Sequence, residues 1–446
     1  MVVNSLKINN LPNTDEQNLL GDRMYQLISQ LYPICRSITG NGFRETLQIL
    51  QNYIPLEVRE VPTGTEVYDW TVPQEWNIND AYIKNARGEK IVDFQACNLH
   101  VVNYSVPVHQ KITLDELKKH LFTLPDYPDW IPYRTSYYKE SWGFCLTHKQ
   151  YLAFPDEEYE VYIDSSLKTG SLTYGEYFIP GETTEEVLIS CHSCHPSLCN
   201  DNLSGISVAV FLAQHLSQLS LRYSYRFLFI PGTIGSITWL HENEERVSNI
   251  KHGLVLTCVG DRGKFTYKRS RRGNAYIDKI VDYVLEKSGK DYEIIDFFPY
   301  GYDERQYCSP GFNLAVGCFM RSPHGSFPEY HTSADNLDFV QPQYLEDSYN
   351  QCLTALQILE NNRTYINLKP KCEPRLGKRG LYRAIGGQSE EALNELAILW
   401  VLNLADGEHT LLDMAKRSKM AFDAIYKAAQ ALLATDLLEE YKQEKS

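Results

Sequence analysis

No stretch of this 446-residue chain approaches the ~20 uninterrupted apolar residues that a bilayer-spanning helix needs, and Met1 to Asn10 holds no long apolar signal core. A cytoplasmic protein with no membrane partner is the expectation. Positive charge is also in short supply: 43 Lys and Arg face 57 Asp and Glu, a net of −14. Such a surface repels phosphate backbones over the molecule as a whole, which argues against non-specific nucleic-acid binding but leaves a local basic face open. A second Cys-x-x-Cys is missing, so Cys191 and Cys194 cannot complete an all-cysteine zinc site. The eleven cysteines are odd in number and scattered from Cys35 to Cys372, so reduced thiols are expected rather than a disulfide framework.

What is there is a large apolar fraction, 43%, in a chain longer than one hydrophobic core supports, so two or three folding units are expected. Residues 15 to 52 show helical spacing twice, first through Leu20, Met24, Leu27, Ile28 and Leu31, then through Phe43, Leu47 and Leu50. From Val61 to Tyr151, aromatic-rich segments alternate with Pro and Asn turns, as in a small β-rich unit. Between about 155 and 365 the pattern becomes strand, then helix, repeated. The runs "EVLISC", "YRFLFI", "HGLVLTCVG" and "NLAVGCF" read as buried strands, and Ser204 to Leu216 as a helix. This predicts an α/β domain with a mainly parallel sheet flanked by helices, whose ligands gather at the carboxyl ends of the strands. From Arg375, helical patterns over Glu390–Leu404, Thr410–Arg417 and Met420–Leu433 suit a winged helix. Its surroundings are not basic: from Glu373 onward 10 Lys and Arg face 12 Asp and Glu. A packing or protein-interaction module is therefore the expectation, with nucleic acid left open through 375–446.

The chemistry-bearing stretch is "CHSCHPSLCNDNLSG", residues 191 to 205. It begins where a buried strand should end and leads into a helix, which places imidazoles and a carboxylate at the sheet edge. His192 or His195 with Asp201 form a candidate metal cup; the alternative is hydrogen-bonded loop histidines with Asp201 as a helix cap. Cys191 continues the strand alternation and reads as a small hydrophobe. Far along the chain, His331 in "EYHTSADNLD" again follows a strand; unremarkable alone, it becomes a third candidate ligand when paired with Asp201 across the sheet edge. Asp303 and Glu304 sit in a loop before a strand as candidate carboxylates, with an internal ion pair as their plainer role. Arg269 and Arg271, in "YKRSRRGN", and Arg305 are candidates to receive a substrate carboxylate or phosphate; a solvated hairpin is the alternative for the first two.

Strand, His, "NDNLSG", strand, "TIGS", strand, "VG" and finally "YHTSADNLD" occur here in an order that resembles zinc aminopeptidases of the co-catalytic two-metal class. Closer still is the resemblance to aminopeptidase-like proteins with an inserted domain of unknown function and a C-terminal winged helix, which share "CHPS", "TIGS", "DERQYCSPGF" and "EYHTS"; it covers nearly the whole chain. The resemblance implies a zinc exopeptidase-like fold over 1–60 and 152–370, an insertion over 61–151 and a winged helix over 375–446. It implies a Zn2+ cofactor on Asp201 and His331, with His195 favoured over His192 as the further ligand, and a setting in polysaccharide biosynthesis. The class also carries a Glu-Glu pair before "GxxGS", which here falls on Phe229 and Ile230 or, with a short gap, on Pro231 and Gly232; Thr257 stands where the class has an Asp. The expected activity is a zinc-dependent hydrolase cutting a small peptide or other amide, with Glu304 or Asp303 as base or second-metal ligand. The rival is an inactive metal- or ligand-binding scaffold whose winged helix recruits a partner or DNA. A homo-oligomer is compatible with either.

Overall fold

The computed structural model describes residues 14–381 and 395–441. Met1 to Asn10, where no long apolar signal core was expected, and residues 390–394 of the expected Glu390–Leu404 helix lie outside them. By contact density the chain divides into Pro12–Cys352 and a unit containing Leu353–Ser446.

The first unit is built on an eight-stranded mixed sheet. Its order is Glu57–Pro62, Ser171–Ile179, Ser224–Ile230, Glu186–His192, Ile250–Leu256, Val316–Met320, Phe265–Lys268, Tyr292–Ile295. The four central strands, Ser224–Ile230 through Val316–Met320, are mutually parallel, and antiparallel neighbours flank them on each side. Glu186–His192 and Ser224–Ile230 are buried at every position, which is why they read as continuous apolar runs rather than alternating ones. Helices cover the sheet. Gly205–Leu216 packs on the central strands, and Thr14–Leu31 packs on that helix, with Ser207 Oγ donating to the Met24 carbonyl at 2.8 Å. Asn41–Leu50 buries Phe43, Thr46, Leu47 and Leu50, one stripe at helical spacing, against Ser171–Ile179.

A separate four-stranded antiparallel sheet, ordered Lys90–Asp93, Glu75–Lys84, Glu158–Lys168, Val108–Thr113, lies between the first two strands of the large sheet in sequence. Burial along Glu158–Lys168 alternates, so one face packs on a core that includes Ile83, Leu117, Phe144 and Val161. This small sheet takes in residues as far as Lys168. The chain leaves the large sheet at Pro62 and re-enters it at Ser171, and those two residues are register partners.

In the second unit, helices Glu395–Leu404, Leu411–Ser418 and Phe422–Leu433 accompany a three-stranded sheet of Asp406–Thr410, Thr364–Asn367 and Leu438–Glu440. Thr410 caps the middle helix in a reciprocal box with Asp413. Among the described residues no helix is long and apolar enough to cross a membrane.

Candidate metal centre

The strand Glu186–His192 ends on an imidazole. Its apolar run drives it through the sheet centre, and the next turn carries His195 at the carboxyl edge, where parallel sheets place their ligands. Arg36, itself fully buried, pins that turn: its Nε donates to the His195 carbonyl at 2.9 Å and its Nη1 to the Leu31 carbonyl at 2.6 Å.

Asp201 is delivered by the turn Cys199–Ser204, which a buried polar network shapes. The Asp335 carboxylate accepts from the backbone amides of Asn200 (2.6 Å) and Asp201 (2.9 Å). Asn200 Nδ2 donates to Asp261 at 2.7 Å, and its Oδ1 accepts from Gly260 N at 2.9 Å. Gly205 opens the following helix where a Cβ would meet the Leu256 carbonyl oxygen at 2.4 Å, so only glycine lets the helix start this close to the neighbouring strand. The "NDNLSG" string is thus a set of fixed contacts.

Three imidazoles converge on Asp201. His192 Nε2 lies 2.8 Å from Oδ1; His331 Nε2 and His195 Nε2 lie 3.0 and 3.9 Å from Oδ2. His192 and Asp201 have no exposed surface, and His331 opens the cup to solvent with a side chain 34% exposed. The His331 ring stacks on Tyr330, with centroids 4.0 Å apart, and meets the edge of Tyr133 at 5.2 Å. Asp201 Oδ2 and His331 Nε2 are buried and face each other at 3.0 Å without hydrogen-bond geometry, and neither has another partner. A buried polar atom left so costs about 1–3 kcal/mol, which a bound cation would recover. Three nitrogens and a carboxylate are a zinc donor set, and the ligand atoms of His192, His195 and Asp201 lie within 4.8 Å of one another.

The charge states suit that ion. Burial drives the Asp201 carboxyl upward, but the imidazoles of His195 and His192 outweigh it and hold the group well below the usual carboxylate range. Burial pulls His195 well below its ordinary value, against the pull of Asp201, so its ring is neutral near pH 7. Metal ligands need these forms, carboxylate and neutral imidazole.

Both candidate histidines of the "CHSCHPS" stretch therefore face Asp201, and His192, the second choice from sequence, stands nearer than His195. Asp303 and Glu304 go elsewhere. Asp303 Oδ1 accepts from Ser236 Oγ at 2.8 Å; Glu304 pairs with the buried Lys268 and accepts from Tyr302 N. The arginines have partners away from the cup: Arg269 holds Asp282 at 2.7 Å and Asp296 at 2.9 Å, Arg271 donates to Asn313 Oδ1 at 2.9 Å, and Arg305 is exposed. All eleven cysteines are free. Burial pushes the Cys194 thiol up to about 12, which disfavours thiolate chemistry.

Three participants escaped the sequence reading. His324 Nε2 lies 3.0 Å from Thr257 Oγ1, and with Asp201 and Cys258 it forms a second group of donors within 4.8 Å. The first histidine of the "RSPHGSFPEYH" loop was its only trace. Asp335 was visible as a carboxylate four residues beyond His331. Tyr302 had no signal: its ring lies over His192, centroids 3.8 Å apart, and over Gly232, where a Cβ would come within 1.9 Å of Cε1. That packing leaves no room for a side chain at Gly232, and Phe229 and Ile230 are fully buried strand residues.

The model of the family described as domain of unknown function DUF4910 matches residues 25–362. The chain belongs to this family. A winged helix-turn-helix model matches 363–440, so the second unit is a winged helix. A Clostridium acetobutylicum protein, provisionally named a polysaccharide biosynthesis protein with an aminopeptidase-like domain, is 58% identical over 418 residues, covering 94% of this chain and 96% of that protein. A crystal structure of a provisionally named peptidase from Clostridium acetobutylicum superposes with a TM-score of 0.91 at 55% identity, covering 96% of this chain and 98% of the other. A zinc aminopeptidase from Bacillus subtilis superposes with a TM-score of 0.55 at 13% identity, covering 75% and 94%. The α/β unit thus has the zinc aminopeptidase-like fold.

Proposed function

We propose that this protein is a zinc-dependent, aminopeptidase-like hydrolase of a peptide or other amide, working in polysaccharide biosynthesis as its Clostridium relative's name suggests. The convergence of His192, His195 and His331 on the single carboxylate of Asp201 carries the reading. These four residues would hold Zn2+, which when bound supplies Lewis acidity toward a carbonyl and toward water. Asp335 fixes the Asp201 backbone, and Tyr133 and Tyr330 brace the His331 ring. Of the two acids named from sequence, Glu304 is committed to Lys268. Asp303 retains an unpartnered Oδ2, and burial pushes its carboxyl up to about 8, so at neutral pH it is mostly protonated and suited to giving a proton.

Metal analysis of the purified full chain tests the first step: about one zinc per chain in wild type and none in His331→Ala is expected, and a zinc-free wild type refuted the idea outright if found under metal-replete expression. The filled space at Gly232 favours a second reading, an inactive scaffold. Aminoacyl and amide chromogenic substrates separate the two, since turnover abolished by Asp201→Asn belongs to the enzyme alone.

A further inference from the structure

Between Pro62 and Ser171 the chain turns two large rings outward. Trp70, on the short ribbon of Glu66–Val67 and Trp70–Thr71, is 44% exposed; Tyr138 is 57% exposed, and their centroids lie 5.4 Å apart. Neither ring seals a core, and Trp and Tyr, each large and apolar with one polar tip, are enriched at recognition surfaces. Two cavities flank the pair. One, about 400 Å3, lies between Tyr68, Trp70 and Phe312, with Asp69, Gln306 and Ser309 among its polar groups. The other, about 290 Å3, lies under Tyr137 and Tyr138 with Gln74 and Ser136. Both sit near the lower end of ligand-pocket size, about 300–1,000 Å3.

The pair is linked to the cup. Tyr138 follows Tyr137, whose hydroxyl lies 2.8 Å from that of Tyr133, and the Tyr133 ring lies 5.1 Å from His195 and 5.2 Å from His331. We propose that Trp70 and Tyr138 are the stacking platform of a neutral saccharide subsite beside the cup, so that the amide substrate is an N-acylated sugar. A pyranose offers an apolar C–H face to an aromatic ring and a rim of hydroxyls to amide, hydroxyl and carboxylate groups, which is the chemistry found around this pair. Phosphate fits it poorly, because the two cavities are lined by Asp69, Glu140 and Glu244 against the single cation Lys139. The choice of sugar as substrate rests on the hydrolase reading; the platform itself does not.

The test titrates the full chain, stripped of metal, with tri-N-acetylchitotriose, and with trialanine as the peptide control, followed by calorimetry. Saturable binding of chitotriose is expected, about tenfold weaker in both Trp70→Ala and Tyr138→Ala, with zinc stoichiometry unchanged in the variants. No chitotriose binding to wild type, or binding that survives both substitutions, overturns the platform. Zinc bound together with trialanine but not chitotriose removes the sugar and leaves the hydrolase, whereas chitotriose bound by a protein that takes no zinc removes the hydrolase and leaves the platform.

Discussion

The strand Glu186–His192 begins on a buried carboxylate and ends on a buried imidazole, and its two ends treat buried charge in opposite ways. At the amino end Arg226 reaches Glu186 with Nε at 2.6 Å and Nη2 at 2.9 Å, pairs with Glu176 through Nη1, and lies over the Phe178 ring at 4.7 Å. Each charged group there has a partner inside the protein. At the carboxyl end three imidazoles share the one carboxylate of Asp201, whose Oδ2 faces His331 Nε2 at 3.0 Å without hydrogen-bond geometry, and His192 Nδ1 has no partner. Both ends are charged, compact and buried, so burial alone does not mark a functional site; the convergence of three imidazoles on one carboxylate does.

The contrast can be broken from either side. Arg226→Ala strands two buried carboxylates and is expected to cost about 3–5 kcal/mol in urea unfolding while zinc content stays at wild-type level. Asp201→Asn should do the reverse. Shared over four ligands, structural zinc affinities of about 10–16 kcal/mol give about 3 kcal/mol each, so zinc binding should weaken on the order of 100-fold in a chelator competition with apo stability little changed. Asp335→Asn leaves every ligand in place but loosens the turn that aims Asp201, and about 10–100-fold weaker zinc binding is expected in the same assay. Loss of folding in place of loss of zinc would make the carboxyl end a structural network like its opposite.

The smallest effect sharpens the amino end. His252, register partner of Val187, is pulled to about 4 by burial and then by Arg222, Arg272 and Lys251. It stays neutral in the fold while the unfolded chain takes its proton near pH 6.5, so its contribution is intact above that pH and is lost as pH falls toward 4. Thermal melts at pH 7.0 and 5.5 should differ by about 1 kcal/mol more in wild type than in His252→Gln.

What the sequence disclosed follows the physics of each element. Strands buried on both faces show as apolar runs, so the large sheet and the helix after Ser204 were legible, as were the winged-helix patterns. The cup was legible through Asp201, His195 and His331, because imidazoles and a carboxylate beside strand ends have few other uses. Tyr302, His324 and Asp335 were not, since loops without periodicity bring them in, and the conflict between Gly232 and a carboxylate exists only once Tyr302 has folded over it. Arg269 looked like a substrate cation for the same reason: its partners Asp282 and Asp296 come from a helix and a strand end that the string of residues does not place beside it.

The register pairing of Pro62 with Ser171 has an evolutionary consequence. More than a hundred residues leave and return through adjacent positions on neighbouring antiparallel strands, a gap that a tight turn could bridge. The outer strands therefore offer a graft point: a lineage can exchange the module that carries Trp70 and Tyr138 while the strand ends near His192 and Asp201 stay as they are, provided the replacement restores the contact that Tyr133 makes with His331.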